Sequence, residues 1–284
     1  MNEQALKDKL RLIANLRKID FQEVWKSLIL ERFLVRLANS NYHHKLIFKG
    51  GFLLAYYIPI ARETMDIDLL ARKLKAEMKN IQDAFYQICA VKIDDGFSIS
   101  FSNIEQLNHP HMNYDGYQVR LNVQFGKMKD RIHVDIGVGD AVEPQEKSFR
   151  LYQYKEKPLF EDSVSLQVYP IETIFSEKLE SIVSRKGANS RMKDFHDILL
   201  LCREKNKINT ENLKISIDNT FQNRKTEKII PIKFSKEEYL QLQPRWKQHL
   251  QLLGSTAKTL NFPEKIADLV DEANLWLGSL LAHT

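Results

Sequence analysis

Apolar and polar residues alternate along the first forty positions with the period of an α-helix, which predicts two amphipathic helices. The apolar stripe of the first, over residues 5–16, consists of Leu6, Leu10, Ile13 and Leu16. The second begins after Asp20, where Asp20 and Glu23 have the spacing of a capping box, and ends near residues 39–41. We expect this second helix to form a scaffold behind the strands that follow.

From there to about residue 140 the chain has the shorter period of β-strands. The predicted strands are 46–48, 65–70, 98–104, 117–125 and 131–138. A helix is predicted at 75–88, turn signals lie at 113–116 and 126–130, and a connecting loop holds His109 and His111.

The pattern then changes from strands to helices. Residues 143–162 contain two prolines and have no clear period, which predicts a linker between domains. A helix is predicted at 171–185, and another follows a cap at Asn189 or Ser190. The remainder, 208–284, is predicted to be helical, with Pro263 in the first turn of the last helix.

These elements predict an α/β (α+β) fold in which a mixed-sheet core at 1–160 precedes a helical domain at 161–284. The content of 43% hydrophobic and 28% charged residues is typical of folded globular proteins, and the net charge of +5 is compatible with a polyanionic partner. Cys89 and Cys202 are predicted to be reduced thiols. Since no signal peptide or membrane-spanning run is found, we expect a cytoplasmic protein without a membrane partner.

Candidate chemistry concentrates in one stretch that begins at Lys49. The glycine pair Gly50-Gly51 lets the backbone come close to a ligand. On the predicted strand, Asp66 and Asp68 share one face, because side chains alternate along a strand. Adjacent carboxylates repel each other unless a cation lies between them, so this arrangement predicts Mg²⁺ holding the phosphates of a nucleotide. The alternative is a strand whose exposed face happens to carry two aspartates.

Two charged residues in apolar surroundings are further candidates. Asp135 lies in mid-strand between Val134 and Ile136, where an unpaired charge is costly. The alternative for Asp135 is a salt-bridged aspartate on an edge strand. Lys178 falls within the apolar stripe of its predicted helix, so its ammonium must either meet an anion or extend to water.

These segments resemble the nucleotidyltransferase toxins of the AbiEii/AbiGii type, within the DNA polymerase β-like nucleotidyltransferase superfamily. The resemblance rests on K-G-G at 49–51, R-x-T at 62–64, D-I-D at 66–68, the helix IETIFSEKLESIV and the motif R-x-K-D-x-x-D that begins at Arg191. One position departs from the pattern: Phe52 follows the glycine pair where many members have Ser or Thr. Thr64 is then the only nearby hydroxyl.

The resemblance implies an active cleft between a nucleotidyltransferase core and the helical domain, with Mg²⁺ as cofactor and an NTP as substrate. The implied catalytic residues are Asp66, Asp68, Asp135, Lys178 and Asp194. Of these, Asp66, Asp68 and Asp135 would hold the metal, and Asp140 is the weaker competitor for the third position. The implied nucleotide-binding residues are Lys49, Gly50, Gly51, Arg62, Thr64, Lys178 and Arg191. For Arg191, Asp194 and Asp197 the alternative is an exposed helix face with ion pairs between residues three apart.

The implied function is that of a type IV toxin from a toxin–antitoxin or phage-defence pair. Such a toxin would transfer a nucleotide from an NTP to an RNA acceptor, the 3′ end of tRNA, and so block translation, and its antitoxin would form no stable complex with it. Two other functions are open: a non-catalytic protein that sequesters GTP, RNA or a partner, and a metal-dependent nuclease. Asp135 favours the enzyme over the binding protein, and the glycine turn with Lys178 would lack a purpose in a nuclease.

Overall fold

The computed structural model describes residues 1–75, 77–107, 116–140 and 142–281. The predicted loop with His109 and His111 and most of the predicted turn at 113–116 lie outside the described residues. The chain divides into two compact units. The first unit consists of Met1–Tyr56 and Glu63–Tyr169, and the second of Tyr57–Arg62 and Pro170–Thr284.

The first unit is built on a mixed seven-stranded sheet with the strand order β3-β4-β5-β2-β1-β9-β6. Its strands are β1 (Leu46–Lys49), β2 (Asp66–Ala71), β3 (Phe97–Leu107), β4 (Gly116–Phe125), β5 (Met128–Val138), β6 (Gln145–Arg150) and β9 (Ser163–Val168), and a separate two-stranded sheet holds β7 (Gln153–Tyr154) and β8 (Lys157–Pro158). β2 pairs with β5, and β1 with β9, in parallel, while the other neighbours in the sheet are antiparallel. The predicted mixed α/β fold is thus confirmed.

The end of the first unit differs from the sequence interpretation. The stretch 143–162, predicted to be an irregular linker, contains β6, β7 and β8. β9 lies beyond the predicted boundary at residue 160 and still belongs to the sheet of the first unit, because it pairs with both β1 and β6. Such pairing depends on partners from distant parts of the chain, so local composition does not reveal it.

The helices of the first unit are α1 (Glu3–Arg17), α2 (Phe21–Ala38), α3 (Gly50–Tyr57, which ends one residue past the unit boundary) and α4 (Met78–Cys89). Asp20 caps α2 as predicted, since its side chain accepts a hydrogen bond from the backbone N–H of Gln22. Leu16 was predicted to lie on the buried stripe of α1 but is 80% exposed. It lies about 100° around the helix from the centre of the buried stripe.

The apolar face of the sheet is covered by α2 and α4. Trp25 of α2 stacks on Phe97 of β3 with ring centroids 5.9 Å apart, and Phe33 of α2 stacks on Phe85 of α4 at 5.7 Å. Every second residue of the central strands is buried, including Ile67 on β2. The residues between them, which are mostly polar, lie on the opposite face, where the predicted aspartates are found.

The second unit is helical. Its helices are α5 (Ile171–Arg185), α6 (Met192–Arg203), α7 (Thr210–Asn223), α8 (Lys236–Leu253), α9 (Ser255–Thr259) and α10 (Ile266–Leu281), with short 3₁₀ turns at Lys186–Ala188 and Lys205–Lys207. The predicted cap at Asn189 or Ser190 is wrong by one or two residues, since α6 begins after Arg191. Pro263 likewise precedes the last helix rather than lying in its first turn. None of the helices in the described ranges is long and apolar enough to cross a membrane.

Candidate functional site

The predicted aspartates of the first unit lie where β2 pairs in parallel with β5. Asp68 lies directly beside Asp135 in the register of this pair, and Asp66 lies beside His133. Directly paired residues point to the same face of a sheet, and so do residues two apart on one strand. Asp66, Asp68 and Asp135, here called the strand aspartates, therefore share one face.

Each strand aspartate has a distinct environment. Asp135 is half-buried, and its Oδ1 accepts a hydrogen bond of 2.9 Å from Nε2 of Gln118 on β4. Asp66 is more exposed, with 53% of its side chain accessible, and its Oδ1 lies 3.6 Å from Nδ1 of His133. Because β5 lies between β2 and β4, Asp135 is not on an edge strand. This excludes the alternative of a salt-bridged aspartate at the sheet edge.

Asp68 packs against the glycine turn. Gly50 has a φ of +76°, and a Cβ added there would overlap the carboxylate of Asp68. A side chain at this position is therefore disfavoured both by the backbone conformation and by the contact. α3 begins at Gly50 directly after β1, and the first N–H groups of a helix lack partners within it, which favours the binding of anions. Gly51 lies in the same turn, and Thr64 is half-buried just before β2.

Lys49 is the last residue of β1 and pairs in register with Asp68. Its Nζ donates hydrogen bonds to Oδ2 of Asp140 at 2.8 Å and to the hydroxyl of Tyr169 at 3.3 Å. The Tyr169 hydroxyl also donates to Oδ2 of Asp140, at 3.1 Å, and the ammonium lies 4.7 Å from the centre of the Tyr169 ring. Asp140 is thus an ion-pair partner of Lys49.

In the second unit, Lys178 of α5 lies between two carboxylates of α6. Its Nζ is 2.9 Å from Oδ1 of Asp194 and 2.8 Å from Oδ2 of Asp197. Only 12% of the Lys178 side chain is exposed, and the two aspartate side chains are 3% and 0% exposed. The first alternative for Lys178 therefore holds: its ammonium meets anions and does not extend to water. The alternative of an exposed helix face is wrong for Asp194 and Asp197.

Two arginines complete this group, which we call the helix charge cluster: Arg62, Lys178, Arg191, Asp194 and Asp197. Nε of Arg191 donates to Oδ2 of Asp194 at 2.9 Å, while 60% of the Arg191 side chain stays exposed. Arg62 binds Asp197 with two hydrogen bonds, from Nε at 2.8 Å and from Nη2 at 2.6 Å, and only 6% of its side chain is exposed. The sequence interpretation placed Arg62 with the nucleotide-binding residues, whereas its guanidinium here is committed to Asp197.

The charges of the helix charge cluster support one another. Burial acts to raise the pKa of Asp194, but Lys178 and Arg191 outweigh it and hold that pKa below its usual value. The pKa of Asp197 is lowered in the same way, with Lys178 and Arg62 outweighing burial. Burial acts to lower the pKa of Lys178, yet Asp197 and Asp194 raise it above its usual value. All three groups are therefore charged at neutral pH.

The strand aspartates have the donor chemistry of a Mg²⁺ site. Among the described residues, no group of three or more His, Cys, Asp and Glu side chains is placed as a full set of metal ligands. Mg²⁺ is usually held by one or two carboxylates, with water and substrate phosphate completing its ligands. Asp66 and Asp68 on one strand face, beside Asp135 on the next strand, fit that requirement.

Asp197 is the residue that the sequence interpretation did not assign a role. Its position three residues after Asp194 on a predicted helix was a usable signal, because residues three apart lie on neighbouring parts of a helix surface. The stronger signal is tertiary, since Asp197 contacts both Arg62 and Lys178.

Solved structures and a family model match this chain. No curated protein matches the chain significantly. Among solved structures, JHP933 from Helicobacter pylori aligns with 14% identity and a TM-score of 0.47, covering 92% of this chain and 93% of that protein. A candidate nucleotidyltransferase from H. pylori aligns with 14% identity and a TM-score of 0.46, covering 90% and 94% of the two chains.

A family model also matches most of the chain. The model of the family described as nucleotidyl transferase AbiEii toxin, type IV toxin–antitoxin system, matches residues 32–271. This range is most of the chain and includes the strand aspartates and the helix charge cluster. The resemblance read from the sequence motifs is confirmed, and the chain belongs to the AbiEii family of nucleotidyltransferase toxins.

Proposed function

We propose that this protein is an active, Mg²⁺-dependent nucleotidyltransferase that transfers a nucleotide from an NTP to the 3′ end of tRNA and thereby blocks translation. The observation that carries the proposal is the register of β2 and β5, which aligns Asp68 with Asp135 and leaves Asp66 on the same face. A protein that only binds a nucleotide needs no third carboxylate at this position. We propose as its partner an antitoxin that neutralises it without forming a stable complex.

The strand aspartates would have two roles in the reaction, metal binding and proton transfer. Asp66 and Asp68 would hold Mg²⁺, which when bound neutralises charge on the phosphates. The backbone N–H groups at Gly50 and Gly51 would bind phosphate oxygens, since the first turn of α3 attracts anions. Asp135, which Gln118 holds in place, would take the proton from the attacking hydroxyl as that oxygen bonds to the α-phosphorus of the NTP and pyrophosphate leaves.

The helix charge cluster supplies positive charge. The exposed guanidinium of Arg191 would bind phosphate while its Nε stays fixed on Asp194. Lys178, held between Asp194 and Asp197, would stabilise negative charge that develops on phosphate oxygens. Arg62 would act through Asp197 rather than touch the nucleotide, because its guanidinium is buried against that carboxylate.

The test is incubation of the purified protein with total tRNA, Mg²⁺ and each labelled NTP in turn. We expect the wild type to extend tRNA, Asp66→Ala to show no transfer, and Asp135→Asn to lose at least about 100-fold in rate while still binding NTP. Asp130→Asn is the matched control, since Asp130 lies on the same strand and pairs with Lys26 at 3.2 Å. Its activity should equal that of the wild type.

One result would change the role of a residue, and another would refute the proposed function. Wild-type transfer by Asp135→Asn would remove Asp135 from the chemistry. Binding of NTP or RNA without any transfer, together with an unchanged cellular effect of Asp135→Asn, would identify a sequestering toxin instead.

A further inference from the structure

Two buried histidines of the second unit form a hydrogen-bonded pair. Nδ1 of His196 on α6 lies 3.0 Å from Nε2 of His249 on α8. His196 is fully buried, and His249 is 9% exposed. The rings of Trp246 and Phe262 pack against the pair, with Phe262 4.6 Å from His196 and Trp246 5.3 Å from His249.

The partner on the other side of His196 fixes the direction of both hydrogen bonds. Nε2 of His196 lies 2.7 Å from the backbone carbonyl of Ile60, and a carbonyl can only accept. Nε2 of His196 must therefore carry a proton, which leaves its Nδ1 as an acceptor when the ring is neutral. Nε2 of His249 then donates to that Nδ1, so each histidine has one defined tautomer.

The neutral state of both rings is supported by their surroundings. Burial lowers the pKa of His196 to about 4, with Arg62 and His249 lowering it further and Asp197 raising it. Burial likewise lowers the pKa of His249 to about 4, with Arg62 and Lys193 lowering it and Asp197 raising it. At neutral pH the pair donates one hydrogen bond outward, from Nε2 of His196 to the carbonyl of Ile60.

The carbonyl of Ile60 belongs to a segment that the histidines hold onto the helices. Tyr57–Arg62 is part of the second unit, although in sequence it lies between elements of the first. His196 binds it at Ile60, and the next residue of α6, Asp197, binds it at Arg62 with two hydrogen bonds. Because Asp197 also pairs with Lys178, a shift of this segment that moves Asp197 would change the position of the Lys178 ammonium.

We propose that His196 and His249 are positioning residues for the nucleotidyl transfer proposed above: by holding the Ile60 carbonyl, they keep Arg62 on Asp197 and so orient Lys178. The inference rests on that proposed function. The competing explanation is that the two rings only fill space in the aromatic core. That explanation requires shape and volume at position 249 but no hydrogen-bond donor.

Variants at His249 separate the two explanations. Glutamine keeps an amide N–H near the position of Nε2, whereas leucine has a similar volume and no donor. We expect His249→Leu to lower kcat at least about 10-fold and to change the KM for NTP less than about threefold, since a misplaced orienting group acts mainly on the transition state. For His249→Gln, both constants should stay within about threefold of wild type. Phe262→Leu, which trims the same core at an apolar ring 4.6 Å from His196 that has no hydrogen-bonding atom, controls for packing.

A second readout does not depend on catalysis. The Nε–H of Arg62 is buried on Asp197, so it should exchange slowly and give a resolved signal in ¹H–¹⁵N NMR spectra of the wild type and of His249→Gln. In His249→Leu this signal should broaden or disappear. Imidazole ¹⁵N shifts of the wild type should show both His196 and His249 protonated on Nε2.

Each outcome is decisive. A protonated Nδ1 on His196 in the wild type, or an unchanged Arg62 signal and rate in folded His249→Leu, would overturn the positioning role. If His249→Leu does not fold, His249→Met, which also lacks a donor but has a more adaptable side chain, takes its place in both readouts. If the wild type transfers no nucleotide, the proposed function fails, and the Arg62 signal still tests the positioning of that residue.

Discussion

Replacing Lys178 with methionine removes one cation from the buried helix charge cluster and keeps the length of the side chain. From the sequence alone, with Lys178 on an apolar stripe, this change is expected to leave stability unchanged or to raise it. The structure predicts the opposite. The ammonium lies 2.9 and 2.8 Å from the carboxylates of Asp194 and Asp197, which are themselves buried.

The magnitude follows from what remains after the substitution. Removing one partner of a buried ion pair typically costs about 3–5 kcal/mol, because the other charge is left without compensation. Here Arg191 still binds Asp194 and Arg62 still binds Asp197. We therefore expect Lys178→Met to lower the free energy of unfolding by about 2–3 kcal/mol at pH 7.

The loss should depend on pH in a defined direction. In the wild type the pKa values of both aspartates are lowered, so their contribution to stability is complete at pH 5 and above and is lost only at lower pH. Without Lys178 these pKa values rise, and the folded variant can take up protons as the pH falls. The difference in unfolding free energy between wild type and variant should therefore be smaller at pH 5 than at pH 7.

Urea unfolding followed by circular dichroism at the two pH values measures this difference. Lys214→Met is the matched control: its side chain is 17% exposed, but its partner Glu211, 3.5 Å away, is 77% exposed, so its loss should cost less than about 0.5 kcal/mol. If Lys178→Met is as stable as Lys214→Met at pH 7, the buried ion pairs are not what holds Lys178. A loss that is the same at pH 5 and pH 7 would show that charge is not its cause.

Two further predictions concern the first unit. Burial raises the pKa of Glu31 to about 7, so between pH 5 and pH 7 the folded protein keeps a proton that the unfolded chain releases. As the pH rises from 5 to 8, the free energy of unfolding of the wild type should therefore fall by about 2–3 kcal/mol relative to that of Glu31→Gln. A constant difference in urea-unfolding free energy over that range would contradict this account. Gly50→Ala should lower the free energy of unfolding, measured by thermal unfolding, by more than about 2 kcal/mol, because φ is +76° and the new Cβ overlaps Asp68. Gly278→Ala, in open space within α10, should raise it by about 0.5–1 kcal/mol. Equal effects of the two alanines would refute the steric argument.

Much of the candidate site could be predicted because it depends on local geometry. Asp66 and Asp68 share a face whatever the rest of the chain does, since alternation along a strand is a property of the backbone. The glycine turn before α3 is equally local, because the positive φ of Gly50 suits only a few residue types. The roles of these residues in catalysis stay predictions until transfer is measured.

The sequence by itself thus determined the order of most helices and strands outside residues 143–168, the shared face of Asp66 and Asp68, and the motifs that carry the family resemblance. Only the tertiary structure decided that Asp68 lies beside Asp135, that Asp140 pairs with Lys49, and that Arg62 is buried on Asp197. It also decided that β9 belongs to the sheet of the first unit. The physical reason is that a side chain's direction follows from its own backbone, whereas its partner and its burial depend on residues brought together from distant parts of the chain.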